Sequence, residues 1–216
     1  EGGPEKTLAG GAGFHEVIID NPSHHRHLFE YTPEEAEDIF RAARERGAQL
    51  EGEEHVKAVQ FFRNHGSAAG ASLHHNHSQM IAAPFVPARL AREVETSEKG
   101  QCPWCSALKE NVLAENEGFA ASVVPWGRFP YETWIIGREH EPSFYETSDK
   151  SLKALAELTA HVLKALYSVF DGMPYTMSLH SRPCDGPEHP GFHWHLEILP
   201  YLTIPAGFER ATDNFI

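Results

Sequence analysis

The sequence predicts an α+β fold: an antiparallel sheet with helices packed against it, built from two tandem copies of one unit. Three observations carry this. Residues 15–20 and 131–140 each read as a strand that leads into a polar loop and then a capped amphipathic helix. The two segments align without a gap at a shift of 116, Tyr131-Glu-Thr-Trp-Ile-Ile-Gly-Arg-Glu-His140 on His15-Glu-Val-Ile-Ile-Asp-Asn-Pro-Ser-His24. A second histidine cluster then follows the loop histidine at similar spacing, 51 residues from His24 to His75 and 53 from His140 to His193. One supersecondary unit has been used twice.

Taken in order, residues 1–12 are Gly-rich and read as irregular. After the strand at 15–20 comes the polar loop Asn21-Pro-Ser-His-His-Arg-His27. Thr32-Pro-Glu-Glu starts a helix, with Thr32 as N-cap, Pro33 at the first helical position and Glu35 completing a capping box. That helix is expected to reach Gly47 or a little beyond. Residues 56–63 and 78–84 read as strands, and 87–99 as a short charged helix. In the second copy an aromatic–Glu pair recurs (Phe29-Glu30, then Tyr145-Glu146), as does a hydroxyl cap (Thr32, then Ser148). The helix at 152–170 carries an apolar stripe of Leu155, Leu158, Val162, Leu166 and Val169. A strand at 175–180, a turn-rich loop at 181–192 and His193-Trp-His195-Leu-Glu197 close the copy.

Composition narrows the function. A length of 216 residues gives ample core for one ordinary domain or two small halves. The net charge of −13 argues against a nucleic-acid backbone as partner, though not against a nucleotide held in a local pocket. No apolar run is long enough to span a membrane. The opening Glu-Gly-Gly-Pro-Glu-Lys lacks the basic and apolar regions of a signal peptide. Three cysteines do not make a disulfide framework, and fifteen histidines are unusual. A cytoplasmic, metal-binding enzyme is the expectation.

Residues 64–79, Asn-His-Gly-Ser-Ala-Ala-Gly-Ala-Ser-Leu-His-His-Asn-His-Ser-Gln, hold the densest chemistry. Small residues let a backbone approach a ligand, and their N–H groups can receive a phosphate. In extended backbone His75, His77 and Gln79 share a face. An imidazole beside an anion cradle can ligate a metal, carry a proton or accept a phosphoryl group; the plain alternative is a His-rich strand edge. In the second copy Cys102-Pro-Trp-Cys105, His140 and His193 make a zinc pattern of two thiolates and two imidazoles. The shift of 116 makes His24 and His75 the imidazole ligands of a matching first site, whose cysteines would fall before Glu1, in a segment expected upstream. Cys184 is left over and reads as incidental.

These motifs resemble the galactose-1-phosphate uridylyltransferase family, the transferase branch of the histidine-triad superfamily. The resemblance rests on Asn64-x-Gly66, Gly70-Ala-Ser72, His75-x-His77-x-Gln79, Phe85-x-Pro87 with Glu93 behind it, Pro130-Tyr-Glu-Thr, His180, His193-x-His195 and Ala206-Gly-Phe208-Glu209. It implies two histidine-triad-like repeats, residues 1–100 and 101–216. It implies His77 as the nucleophile on the α-phosphorus of a UDP-sugar, with Gln79 on the phosphoryl oxygens. It places Asn64, Gly66, Gly70, Ala71 and Ser72 at the nucleotide, Phe208 and Glu209 on the sugar side, and His24 and His75 on zinc. For the second metal it implies zinc at Cys102, Cys105, His140 and His193, or in other members iron at Glu93, His180, His193 and His195. Between the triad histidines, where that family usually has Pro, stands Asn76.

The expected function is transfer of a UMP group between hexose 1-phosphates through a covalent nucleotidyl-histidine, in a homodimer with small nucleotide sugars and sugar phosphates as partners. Gln79 favours transfer, because a neutral amide cannot hand a proton to a leaving group as a third histidine would. Two readings stay open: a nucleotide-sugar or dinucleoside-polyphosphate phosphorylase of the same architecture, and a non-catalytic zinc protein.

Overall fold

The computed structural model describes residues 11–24, 26–100, 102–124, 127–212 and 214–215. Most of the Gly-rich opening, residues 1–10, lies outside them. The described strands are β1 (Phe14–Ile19), β2 (Ala58–His65), β3 (His77–Ala83), β4 (Val112–Glu115), β5 (Phe119–Val123), β6 (Thr133–Gly137), β7 (Tyr175–His180) and β8 (His195–Pro200). They form one sheet in the order β1-β3-β2-β7-β8-β6-β5-β4, with every neighbouring pair antiparallel. From the β2–β7 seam the order runs β2, β3, β1 one way and β7, β8, β6 the other. The duplication is therefore built into the sheet as two mirrored strand triplets.

Strands β4 and β5 extend the second copy alone and were not expected. Ala114, Ala120 and Ala121 give them weak strand character, and ladder bonds to β6 hold them. The gapless alignment is also one residue out within the first strands. Val17 faces Gln79, and Trp134 rather than Thr133 faces Glu197. A one-residue slip exchanges sheet faces, so the interior fixes this register and the loop before His140 is one residue shorter.

Helix α1 (Pro33–Glu51) starts as read: Glu35 N–H donates to Thr32 Oγ1 at 3.2 Å, and Thr32 N–H donates to the Glu35 carboxylate at 2.8 Å. Helix α4 (Asp149–Val169) starts at Ser148, whose hydroxyl accepts from Ser151 N–H. Leu155, Leu158 and Val162 are buried and Leu166 packs at the core's edge. Val169 does not belong to the stripe, being 69% exposed. The next residue, Phe170, leaves helical backbone (φ −122°, ψ 87°) and packs against the core in its place. Both helices lie on one face of the sheet, with Phe40, Leu152, Leu155 and Leu163 against Phe61, Met80, Met177, Leu196 and Ile198.

The opposite face is covered unevenly. Helices α2 (Ala88–Glu98) and α3 (Pro103–Ala107) bring Leu90, Trp104 and Ala107 against Trp134, Ile136 and Phe192, over the second copy. Over β1 and β3 the described residues place no helix, and Val17 and Ile19 are 50% and 59% exposed. One copy is open on this face and its twin is closed. No described helix is long and apolar enough to cross a membrane.

Candidate active site and metal centre

On β3 the alternation sends Ser78, Met80 and Ala82 toward the helices and His77, Gln79 and Ile81 to the open face. His77 Nδ1–H donates to the His75 carbonyl at 2.9 Å, which fixes the tautomer and leaves the Nε2 lone pair unprotonated. The ring lines a cleft of about 560 Å³ together with Asn64, Gly66, Ser72, His75 and Asn76. His15 Nε2–H donates to Gln79 Oε1 at 2.9 Å, so the Gln79 NH₂ is the end left for a ligand. His15 was missed in the sequence. Its signal is the register: Val17 opposite Gln79 puts His15 on the same face one diagonal away.

The small-residue loop turns through Gly66 (φ +81°) and Gly70 (φ +88°), backbone that a Cβ would strain. A Cβ on Gly66 would also lie 3.0 Å from Pro174 Cβ. The expected phosphate cradle is narrower than read. Gly70 N–H already donates to Ser67 O, and Ala69 and Ala71 N–H to Gly66 O. Those three N–H groups are used within the loop, and Ser67 and Ser72 are among the loop residues that line the cleft. Asn64 Oδ1 accepts from Thr176 Oγ1 at 3.2 Å. Burial, with Arg63 and His27 nearby, pushes His65 down to about 4, and this neutral ring contacts Tyr167 OH at 3.1 Å.

His24 and His75 come together as expected, with Nδ1 to Nδ1 at 2.9 Å. His75 Nε2–H donates to Asn21 O at 2.8 Å, turning Nδ1 toward His24. The second copy repeats this: His140 Nε2–H donates to Pro190 O at 3.0 Å, and its Nδ1 lies 3.4 Å from Cys105 Sγ. His193 Nδ1 is 3.4 Å from Cys105 Sγ and 3.7 Å from Cys102 Sγ. The ligating atoms of Cys102, Cys105, His140 and His193 all lie within 4.8 Å of one another. Burial pushes the Cys102 thiol up to about 11; burial, with His140 and His195 beside it, pushes His193 down to about 4. A divalent cation relieves both, favouring thiolate and using neutral imidazole, so this donor set fits a metal.

Of the alternative iron set, Glu93, His180 and His195 come together and His193 does not join them. His193 is turned to the cysteines, and Glu197 joins Glu93, His180 and His195 instead. Glu197 lies two residues from His195 on one strand face, whereas His193 precedes β8. Arg128 pairs with Glu197 at 2.8 Å, Arg89 also pairs with it, and His180 reaches Glu93 at 2.8 Å. Burial works against charge on His180, but Glu197 and Glu93 outweigh it and raise the ring to about 9. Trp104 and Trp134 pack against His195, ring centroids 4.7 and 5.4 Å away.

Phe208 and Glu209 do not join the described cleft. They sit on α5 (Gly207–Thr212), where the Glu209 carboxylate accepts from Ala206 N–H, close to its own helix start. The chain reaches α5 from β8, three strand spacings, roughly 14 Å, from β3. Cys184 packs at the core's edge, its Sγ 3.7 Å from Val56 O.

Comparison with known proteins identifies the family. Residues 7–87 match the N-terminal domain of galactose-1-phosphate uridyl transferase and residues 54–203 its C-terminal domain. An ADP-glucose phosphorylase of Arabidopsis thaliana is 32% identical over 224 residues, which cover 100% of this chain and 64% of the relative. A galactose-1-phosphate uridylyltransferase of Haemophilus influenzae is 30% identical over 221 residues, 92% of this chain and 62% of the relative. The chain thus spans somewhat less than two thirds of either relative's length. The solved structure of an Arabidopsis thaliana ADP-glucose phosphorylase with bound ADP-glucose superposes with a TM-score of 0.89 at 31% identity, over 94% of this chain and 69% of that one. Two matched domains and relatives of this similarity show that the chain belongs to the galactose-1-phosphate uridyl transferase family.

Proposed function

We propose that the protein transfers a nucleoside monophosphate from a nucleoside diphosphate hexose to a phosphate-bearing acceptor, through a covalent intermediate on His77 Nε2. The observation that carries this is the His77 tautomer, with Nδ1–H on the His75 carbonyl and Nε2 left at the cleft. In the first step Nε2 bonds to the α-phosphorus, the bond to the leaving phosphate oxygen breaks, and hexose 1-phosphate departs with that electron pair. The ring becomes cationic, and the His75 carbonyl on Nδ1–H stabilises it. The NH₂ of Gln79, oriented by His15, donates to the phosphoryl oxygens; one well-placed donor of this kind is worth roughly 3–4 kcal/mol in the transition state. In the second step the acceptor oxygen attacks phosphorus and Nε2 leaves.

UDP-glucose with galactose 1-phosphate is the first donor–acceptor pair. The likeness to ADP-glucose phosphorylase favours a second, ADP-glucose with inorganic phosphate. Zinc at Cys102, Cys105, His140 and His193, and at His24 with His75, would lock the loops around the cleft without touching substrate. The second triad is proposed to be silent: His195 is packed under Trp104 and Trp134, and Glu197 would repel a phosphate where Gln79 would bind one. A homodimer in the cytoplasm accompanies the family reading, and light scattering measures the first of these.

Intact-protein mass spectrometry after incubation with UDP-glucose or ADP-glucose tests the proposal. A uridylyl or adenylyl adduct on His77, discharged by galactose 1-phosphate or by inorganic phosphate, identifies base and acceptor together. No adduct with either donor sinks it.

A further inference from the structure

We infer that a buried ion pair behind the sheet, Asp20–Arg63, positions His77 by gripping the two residues that flank it, Asn76 and Ser78; this rests on reading His77 as the nucleophile. Strand alternation sends His77 and Gln79 to the open face, so Ser78 faces backward. Arg63 lies on the same back face of β2 as Phe61 of the core. There it pairs with Asp20, the two side chains being 1% and 0% exposed.

Each partner extends one hydrogen bond to the histidine loop. Ser78 Oγ–H donates to Asp20 Oδ1 at 2.8 Å, and Arg63 Nη2 donates to Asn76 Oδ1 at 3.1 Å. Asp20 N–H adds a bond to the Asn76 carbonyl at 3.2 Å. The other end of the Asn76 amide donates to the Arg26 carbonyl. Arg26 donates in turn to Glu35 at 2.9 Å, and Glu35 also accepts from Asn21 Nδ2 at 3.0 Å. Asn21 O holds the His75 ring, closing the circuit around the His77–His75 carbonyl bond.

A buried ion pair of this sort adds little stability over an apolar pair of equal volume, because desolvation offsets the attraction. What it supplies is direction. A guanidinium and a carboxylate offer donors and acceptors in fixed planes, so the Asn76 and Ser78 side chains tied to them hold the backbone between in one orientation. Asp20, Arg63, Asn76 and Ser78 are therefore positioning residues, acting through the backbone that carries the nucleophile.

Asn76→Ala, Ser78→Ala and the charge-free pair Asp20→Leu with Arg63→Met test this without stranding a single buried charge. Two readouts are compared in the whole protein: the rate of adduct formation with UDP-glucose or ADP-glucose, and the His77 ring tautomer in nitrogen-15 spectra. Metal content should stay within about threefold of wild type in all three, and so should nucleotide-sugar affinity in Ser78→Ala and the double variant, whose side chains lie behind the sheet. Adduct formation should slow by roughly ten- to a hundredfold, as misplacement by up to about 1 Å does. The ring should pass from one tautomer, protonated at Nδ1, to a mixture. A single unchanged tautomer in Asn76→Ala and Ser78→Ala overturns the inference, whatever the adduct shows. Mixed tautomers in a protein that forms no adduct support the positioning and reject the nucleophile assignment instead. If the double variant fails to fold, the two single variants decide alone.

Discussion

His77 and Gln79 differ from His195 and Glu197 by what surrounds them more than by where they sit, since both pairs occupy matching strand positions. His77→Ala should give no adduct and no exchange of label between a nucleotide sugar and its sugar 1-phosphate; full exchange would end the nucleophile assignment. Gln79→His places a ring able to carry a proton beside the leaving group, so hydrolysis should rise relative to transfer, read from product ratios. A separate residue outside the site invites a pH experiment. Burial raises the Glu51 carboxyl to about 7, with Arg182 opposing and Glu146 adding to the shift. The folded chain then holds a proton there that the unfolded chain releases near the ordinary carboxylate value. Stability is lost as pH rises from that value through about 7. Glu51→Gln should raise the Tm by a few degrees at about pH 8 and leave it unchanged at about pH 4. A uniform effect at both would place the cause elsewhere.

At the scale of elements, α1 meets the second copy through Gly47, where an added Cβ would stand 2.0 Å from Tyr145 Cε1. Tyr145 cannot swing away easily, because its hydroxyl donates to the Val59 carbonyl at 3.0 Å. Gly47→Ala should therefore destabilise by about 1–3 kcal/mol in urea unfolding, despite the better helix propensity of alanine. Gly52→Ala, at the open end of the same helix, is the control: its Cβ would touch only Gln49 O at 3.3 Å. Equal losses in both would show that backbone propensity, and not the Tyr145 contact, sets the cost. The start of α1 was legible because capping is a local contest among four residues, Thr32 to Glu35. The position of Gly47 under Tyr145 was not, since nothing within the helix marks which face another helix will meet.

Across the whole molecule the thiolate–imidazole site joins α3, the loop before α4 and the loop before β8. Cys102→Ser should remove about one metal ion, with a large fall in Tm, because metal affinity is spent on folding. Unchanged metal content and melting would end the zinc assignment. Metal should also leave wild type as pH falls, since protons compete for the same sulfur and nitrogen atoms. The buried cluster of Glu93, His180 and Glu197 predicts an alkaline limit as well. His180 is raised to about 9, so its contribution is complete below about 6.5 and is lost as pH rises toward about 9. The urea midpoint should decline over that interval; a flat profile would mean that His180 is uncharged in the folded protein.

The sequence by itself determined what is local or periodic. Capping boxes, alternating strands and the Cys-x-x-Cys motif each occupy a few adjacent residues, and the duplicated order of elements is a repeat of such local patterns, so none of them needs a tertiary contact to be read. His77 and Gln79 share a face because a strand period of two aligns them, whereas His75 precedes β3 and is set by its bond to Asn21 O. Tertiary structure decided everything that depends on which strands become neighbours. Pairing β1 with β3 put His15 on Gln79, and burial behind the sheet joined Asp20 to Arg63, residues far apart in the chain. The fall of α2 and α3 over one copy alone chose which triad stays open. It also sealed Glu197, in place of His193, among buried charges. These outcomes come from desolvation and register, which are properties of assembled surfaces; no window of sequence contains both sides of such a contact.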